Sequence, residues 1–397
     1  MNKISLPAMR NSLTCIMGWL LVFSIFPAIF LGGISLAYAQ PQCEPRDGSI
    51  PKTQVVTLAP FNISAGMDMA VGTVLYMGRS NLGWVNDDRI LCWSTTPPEI
   101  MTFSLSYGVK NPPLPLADGF YDVYQTGIPG IGVRIGDGVR GATVDQPVTT
   151  RNSTELTSDK LGISANFAAY ISLVKTGPLI PGNYSLSAAN LPTTTRFFGN
   201  AINYPSVTGL PIVTSEIKYQ GSINISAQTC MTPDVNVPMG KYNANETFTG
   251  IDSTTPWINV NLALINCPMF YGYYNQFNQQ VLFDGDNGGG LPYGIKSAIN
   301  NQIGARFTPA TSVIDVARGI MAIDTTNPSA ASGIGIQLGW GDGVPTPINL
   351  TNEKKLDLPK DGSPTIKIPL SVRYIQTNEK VTPGLADGKV TFTINYY

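Results

Sequence analysis

The sequence predicts an all-β protein of two tandem β-sandwiches. Three observations predict it: short apolar rows of period two, frequent turn residues between them, and an internal repeat that accompanies two cysteine pairs. Ile131, Val133 and Ile135 form one row, and Ile223, Ile225 and Ala227 another. Ile258, Val260, Leu262 and Leu264 form a third, followed by Ile334, Ile336 and Leu338. The last two are Ile366 through Tyr374 and Val390, Phe392, Ile394 and Tyr396, each on alternate residues. Such rows send one face of a strand into a core and leave the other in water.

Turn signals separate the rows, among them Asp47-Gly48, Asn111-Pro112-Pro113 and Asp361-Gly362. Gly (40) and Pro (31) are plentiful and charged residues make up only 13%, a balance that suits many short strands. The repeat is Gly130-Ile131-Gly132-Val133-Arg134-Ile135-Gly136, echoed by Gly333-Ile334-Gly335-Ile336-Gln337-Leu338-Gly339. Each copy precedes a Gly-Asp-Gly-Val type turn, which is explained by two related sandwiches in series.

The amino terminus reads as an export signal. Lys3 and Arg10 precede an uncharged apolar run from about Ile16 to Leu36, and Ala37-Tyr38-Ala39 is a small-x-small cleavage site before Gln40. A retained membrane anchor is the alternative, but Pro27 and Gly32-Gly33 interrupt the run. Removal of residues 1–39 takes Cys15 away and leaves Cys43, Cys92, Cys230 and Cys267 for an oxidising compartment. Three pairings are possible; Cys43–Cys92 with Cys230–Cys267 keeps each bridge inside one domain. The expected organisation is a signal peptide (1–39), an N-terminal domain (40–210), a linker (211–218) and a C-terminal domain (219–397). The first domain is expected to fold alone, with a closing strand region at about residues 169–190.

Several function classes are excluded. The chain has no histidine, which removes Ser-His-Asp catalysis, His-ligated zinc and a histidine pH switch. A net charge of −1 without a basic block gives no footprint for nucleic acid. No cofactor or metal is implied.

The second half resembles a chaperone–usher pilin domain. Gly221-Ser222-Ile223-Asn224-Ile225-Ser226-Ala227-Gln228-Thr229-Cys230 is similar to the first pilin strand running into its cysteine, and Asp234 through Lys241 to the strand that follows. Asn266-Cys267-Pro268 stands where the second pilin cysteine does, and Ala331 through Leu338 resembles the family's A-x-G-[VI]-G-I strand. The segment Val381–Tyr397 resembles the pilin ending, with Gly384 fourteen from the last residue and Tyr396 second from last.

The resemblance implies an immunoglobulin-like sandwich that lacks its last strand. Gly384, Val390, Phe392, Ile394, Tyr396 and Tyr397 would then border a groove filled first by a periplasmic fimbrial chaperone and later by an N-terminal strand of the adjacent pilin subunit. This is recognition by an added β-strand. An outer-membrane usher would assemble the fibre at the cell surface. The N-terminal domain stands where a shaft subunit has its donor extension, an arrangement similar to a fimbrial tip adhesin. Val123 through Ile135 and Leu173 through Gly182 also resemble such adhesin domains.

The expected receptor is a host or surface glycan, or a matrix protein. Sugar sites combine aromatic faces with carboxylates and amides that hold hydroxyls. Trp84, Asn86, Asp87 and Asp88 have that composition, as do Tyr121, Asp122 and Tyr124. The alternative is that these aromatics belong to the core and the acids to solvated turns. Two other functions are alternatives: a structural minor pilin or adaptor, and, more remotely, a secreted glycosidase pairing Asp87 or Asp88 with Asp122.

Overall fold

The computed structural model describes residues 41–48, 50–81, 89–95, 99–164, 168–203, 207–226, 229–284 and 297–397. The chain parts into two compact units, Met1–Tyr38 and Ala39–Tyr397. The first lies outside the described residues, and with it the expected signal. Within the second unit the protein is almost entirely β; its one α-helix among the described residues is the single turn Ala244–Thr247.

Two principal cores form in the second unit. The first lies under a sheet ordered Gln280–Asp284, Val74–Asn81, Ala168–Lys175, Ile131–Gly136, Tyr124–Gln125. The other sheet of this core runs Gly182–Leu186, Ile212–Ser226, Thr193–Phe198, Glu99–Lys110, Val148–Leu156, and Lys52–Ser64 lies parallel to Ile212–Ser226. Leu58, Ile63, Leu75, Tyr107, Val133 and Leu173 fill the space between. A small sheet of Gln42–Pro45, Ile90–Trp93 and Leu161–Ile163 carries the Cys43–Cys92 disulfide.

The second core is built by the sheet Ile258–Asn259, Leu370–Gln376, Ile334–Trp340, Ile320–Ala322, Val313–Asp315. Opposite it lies Lys354–Asp357, Gln302–Pro309, Val390–Tyr396. Leu262, Leu264, Ile303, Phe307, Leu338 and Ile368 are buried here, and the Cys230–Cys267 disulfide belongs to the same cluster.

Residues 211–218 do not form a linker. One strand passes through them, with Ile212 and Thr214 inside before a register shift at Thr214 and Ser215 that turns Ile217 and Tyr219 inward, and it continues to Ile223 and Ile225 in the first core. Pro211 stands just ahead of this strand, where its missing N–H costs no ladder bond. The residues expected to open the second half are thus a central strand of the first. Gln280–Asp284 also joins the first half's sheet, parallel to Val74–Asn81.

Two predicted rows are broken. The row 258–264 splits into Ile258–Asn259 and Ala263–Ile265 because Asn261 adopts φ 52°, a conformation that asparagine tolerates; its N–H donates to Asn259 Oδ1 at 2.8 Å. The row 366–374 splits into Thr365–Lys367 and Leu370–Gln376 around Pro369, which has no N–H to give a ladder.

Candidate functional site: an open apolar groove

The terminal strand Val390–Tyr396 pairs with Gln302–Pro309, its one ladder partner among the described residues. Gln302 and Tyr397 exchange both main-chain hydrogen bonds, at 3.0 and 2.8 Å. Antiparallel alternation therefore directs the N–H and C=O of Phe392 and Ile394 to the opposite edge, where no ladder neighbour lies. Along the strand Val390, Phe392 and Ile394 are half-buried and Tyr396 is buried, while Thr391 and Thr393 face water.

Beside this edge lies a groove of about 1280 Å³. Its apolar lining comes from the second core: Leu262, Phe307, Met321, Ile336, Leu338 and Val372. Val390 and Phe392 of the terminal strand border it, together with the segment 381–389. Residues 234–241 border it as well. That segment resembles a pilin strand in sequence. It keeps the alternation of an extended chain, with Val235, Val237 and Met239 half-buried against the core, but has no ladder partner.

Gly384 is seated where a β-carbon would collide with the backbone of residues 329–331. This closeness lets Ala331 N–H donate to Leu385 C=O and Leu385 N–H to Ser329 C=O, each at 2.8 Å. Tyr374 Oη donates to Ala386 C=O at 2.7 Å, and burial followed by the nearby Asp387 carboxylate raises its pKa. The groove wall is thus held by its own hydrogen bonds.

Tyr396 lies just past one end of the groove. Its ring stacks on Phe270 with centroids 6.5 Å apart, and its hydroxyl accepts from Cys230 N–H at 3.1 Å. Tyr397 points elsewhere: its hydroxyl donates to Glu353 Oε2 at 3.1 Å, and Lys355 lies over its ring. Of the residues expected at the groove, Gly384, Val390 and Phe392 line it, Ile394 continues its open edge, and Tyr396 and Tyr397 lie beyond.

Beyond that end, the loop after Lys52–Ser64 meets the terminal strand. Asp68 Oδ2 accepts from Tyr396 N–H at 2.9 Å. Lys175 Nζ, on a buried residue of the first half, donates to the carbonyls of Gly66, Met67 and Met69. Burial pushes its pKa down, and Asp68 opposes that shift. Asn301, also buried, donates from Nδ2 to Ser64 C=O at 2.8 Å and accepts Gly272 N–H on Oδ1 at 2.9 Å. No sequence pattern singled out Asp68, Lys175 or Asn301.

The expected receptor residues are placed differently from one another. Trp84, Asn86, Asp87 and Asp88 lie outside the described residues. Tyr121 is 80% exposed, whereas Asp122 is 2% and Tyr124 5% exposed. Asp122 Oδ1 accepts from Arg134 Nη2 at 3.1 Å and Oδ2 from Gly141 N–H at 2.9 Å, so both carboxylate oxygens are engaged internally. Tyr124 belongs to the first core, and burial raises its phenol's pKa. Among the described residues no group of His, Cys, Asp and Glu side chains is arranged to hold a metal, and no helix is long and apolar enough to cross a membrane.

Solved structures similar to the chain include the CupB6 tip adhesin from Pseudomonas aeruginosa, at 15% identity over 90% of this chain and 94% of that one, TM-score 0.32. The receptor-binding domain of the plasmid-born adhesin MrkD1P of Klebsiella pneumoniae matches at 18% identity over 48% of this chain and 98% of its own, TM-score 0.26. The CsuC–CsuE chaperone–tip adhesion subunit complex of Acinetobacter baumannii matches at 11% identity over 89% and 99%, TM-score 0.22. A search of curated proteins finds no match. Residues 217–397 match the family described as Fimbrial protein, a span that contains the groove and both of its borders. Over these residues the chain is similar to fimbrial proteins.

Proposed function

We propose that the chain is a tip adhesin of a chaperone–usher fimbria, whose groove is completed by a β-strand from another polypeptide. One observation carries the reading: the terminal strand's open edge and the unpartnered segment 234–241 border the same apolar groove. An unpaired edge over exposed core is an aggregation hazard, and an inserted strand removes it by pairing the edge and covering the core together. In transit through the periplasm the strand belongs to a fimbrial chaperone. In the fibre, after passage through an outer-membrane usher, it belongs to the N-terminal extension of the adjacent pilin subunit.

The first half, with its own core and its own disulfide, takes the place of a donor extension and supplies the receptor contact. The receptor is a glycan or matrix protein bound without covalent chemistry. Tyr121 is the one described member of the two candidate clusters that is free to touch it.

The test uses the full chain and a synthetic peptide of alternating threonine and valine. Peptide binding is expected to raise the melting temperature, suppress binding of a hydrophobic dye, and protect the Phe392 and Ile394 amides from exchange. A chain that stays monomeric, binds no dye and gains no protection would refute strand completion. A glycan and matrix-protein array probed with the peptide-filled chain tests adhesion separately.

A further inference from the structure

The loop that follows Lys52–Ser64 meets the terminal strand where the groove ends. Tyr396 N–H points to the same edge as those of Phe392 and Ile394, because all three lie on alternate residues of one strand. For Tyr396 alone of these, a side-chain acceptor already occupies the position of a ladder partner: Asp68 Oδ2 at 2.9 Å. The loop cannot easily withdraw. A β-carbon on Gly66 would collide with Tyr396 C=O, so the two backbones are in close contact, and Lys175 gathers three loop carbonyls around one ammonium.

We infer that Asp68 is a register stop: a strand entering the groove pairs with the terminal strand as far as Ile394 and is halted there. The inference rests on the strand-completion reading and goes beyond it, since it assigns to a residue of the first half the choice of how far the partner slides. A sheet with one buried face specifies register strongly, yet a groove open at both ends would allow a two-residue slip that keeps the same side chains facing inward. Asp68 blocks that slip by occupying the next donor. The buried Tyr396 ring, stacked on Phe270, fills the corresponding space below.

Asp68 itself is exposed. Its replacement takes an acidic neighbour from the buried Lys175 ammonium, which keeps its three loop carbonyls, so the fold is expected to persist. Asp68 acts as a positioning residue, so its effect should appear in peptide-length dependence rather than in stability. The probe is the threonine–valine peptide, compared with versions extended by two residues at either terminus. With the unaltered chain, extension past Ile394 is expected to add no affinity. With Asp68→Ala the extended peptide should gain about five- to tenfold, the worth of roughly one added main-chain hydrogen bond. Asp68→Asn, which keeps an acceptor oxygen, should restore the stop. In the unaltered complex the Tyr396 amide should exchange at the same rate with and without peptide, while Phe392 and Ile394 slow. Equal gains from extension in the unaltered chain and Asp68→Ala would overturn the stop while leaving strand completion intact. Failure of every peptide to bind would remove both.

Discussion

Gly130 and Gly333 hold the same place in the two halves of the chain. Each adopts positive φ, 71° and 76°, immediately before a core strand. Each accepts, at 2.8 Å, the N–H of the residue that follows the next central strand, Thr176 in one half and Thr377 in the other. In each case a β-carbon would collide with a carbonyl beyond that strand, Pro178 for Gly130 and Lys380 for Gly333. The repeat visible in the sequence is therefore a repeated packing device, in which glycine lets two chain segments cross closely.

Replacement of Gly333 by alanine should cost about 1–3 kcal/mol, because strained backbone is joined by a collision with fixed main chain. Gly343, also at positive φ but with open space around it, should lose only roughly 1 kcal/mol on the same change. Urea unfolding of the two variants checks the difference.

A fragment ending at residue 210 should not fold, contrary to the expectation from sequence. Ile217, Tyr219, Ile223 and Ile225 are buried in the first core and come from a strand beyond that point. At about 1.5–3 kcal/mol for each large apolar side chain, their loss approaches the whole stability of an ordinary domain. Residues 41–226 should instead give a cooperative thermal transition, and calorimetry of the two fragments side by side distinguishes them.

Asp122 and Tyr121 are neighbours with opposite roles. Asp122→Ala removes the partner of Arg134 and of Gly141 N–H, and should cost about 3 kcal/mol, since it strands a partly buried charge. Tyr121→Ala should change stability by no more than about 0.5 kcal/mol, as expected of an exposed side chain. Melting curves check both. A loss of receptor binding by Tyr121→Ala at unchanged melting temperature would mark it as a contact.

Alkaline pH should destabilise the first core. Burial raises Tyr219 to about 12 and places Tyr107 well above the ordinary phenol value. The folded state then holds protons that the unfolded chain releases from about pH 10. Their contribution is intact below about pH 10 and is lost as pH climbs towards about 12. Ultraviolet titration should show exposed tyrosines ionising first and these phenols ionising together with unfolding.

Strand content was legible because alternate burial is a local property, written into rows such as Ile334, Ile336 and Leu338. The groove was legible in part, through the pattern of Val390, Phe392 and Ile394 and the Gly384 spacing. Sheet membership was not. Nothing near Ile223 indicates which core receives it, and the linker expected at 211–218 is part of a strand whose inward face shifts at Thr214 and Ser215. Asp122 had the composition of a sugar contact, but composition does not reveal that Arg134, twelve residues on, folds over it. Asp68 and Tyr396 are 328 residues apart, and no local pattern can join them.

The strand Ile212–Ser226 also has a mechanical consequence. The chain leaves it at Ser226 for the second half, so tension arriving from there acts along the strand's own axis. Its neighbours on both sides, Lys52–Ser64 and the pair Gly182–Leu186 and Thr193–Phe198, are then sheared rather than peeled. Under shear the ladder bonds share the load and must yield together, whereas in a peeling geometry they would open one at a time.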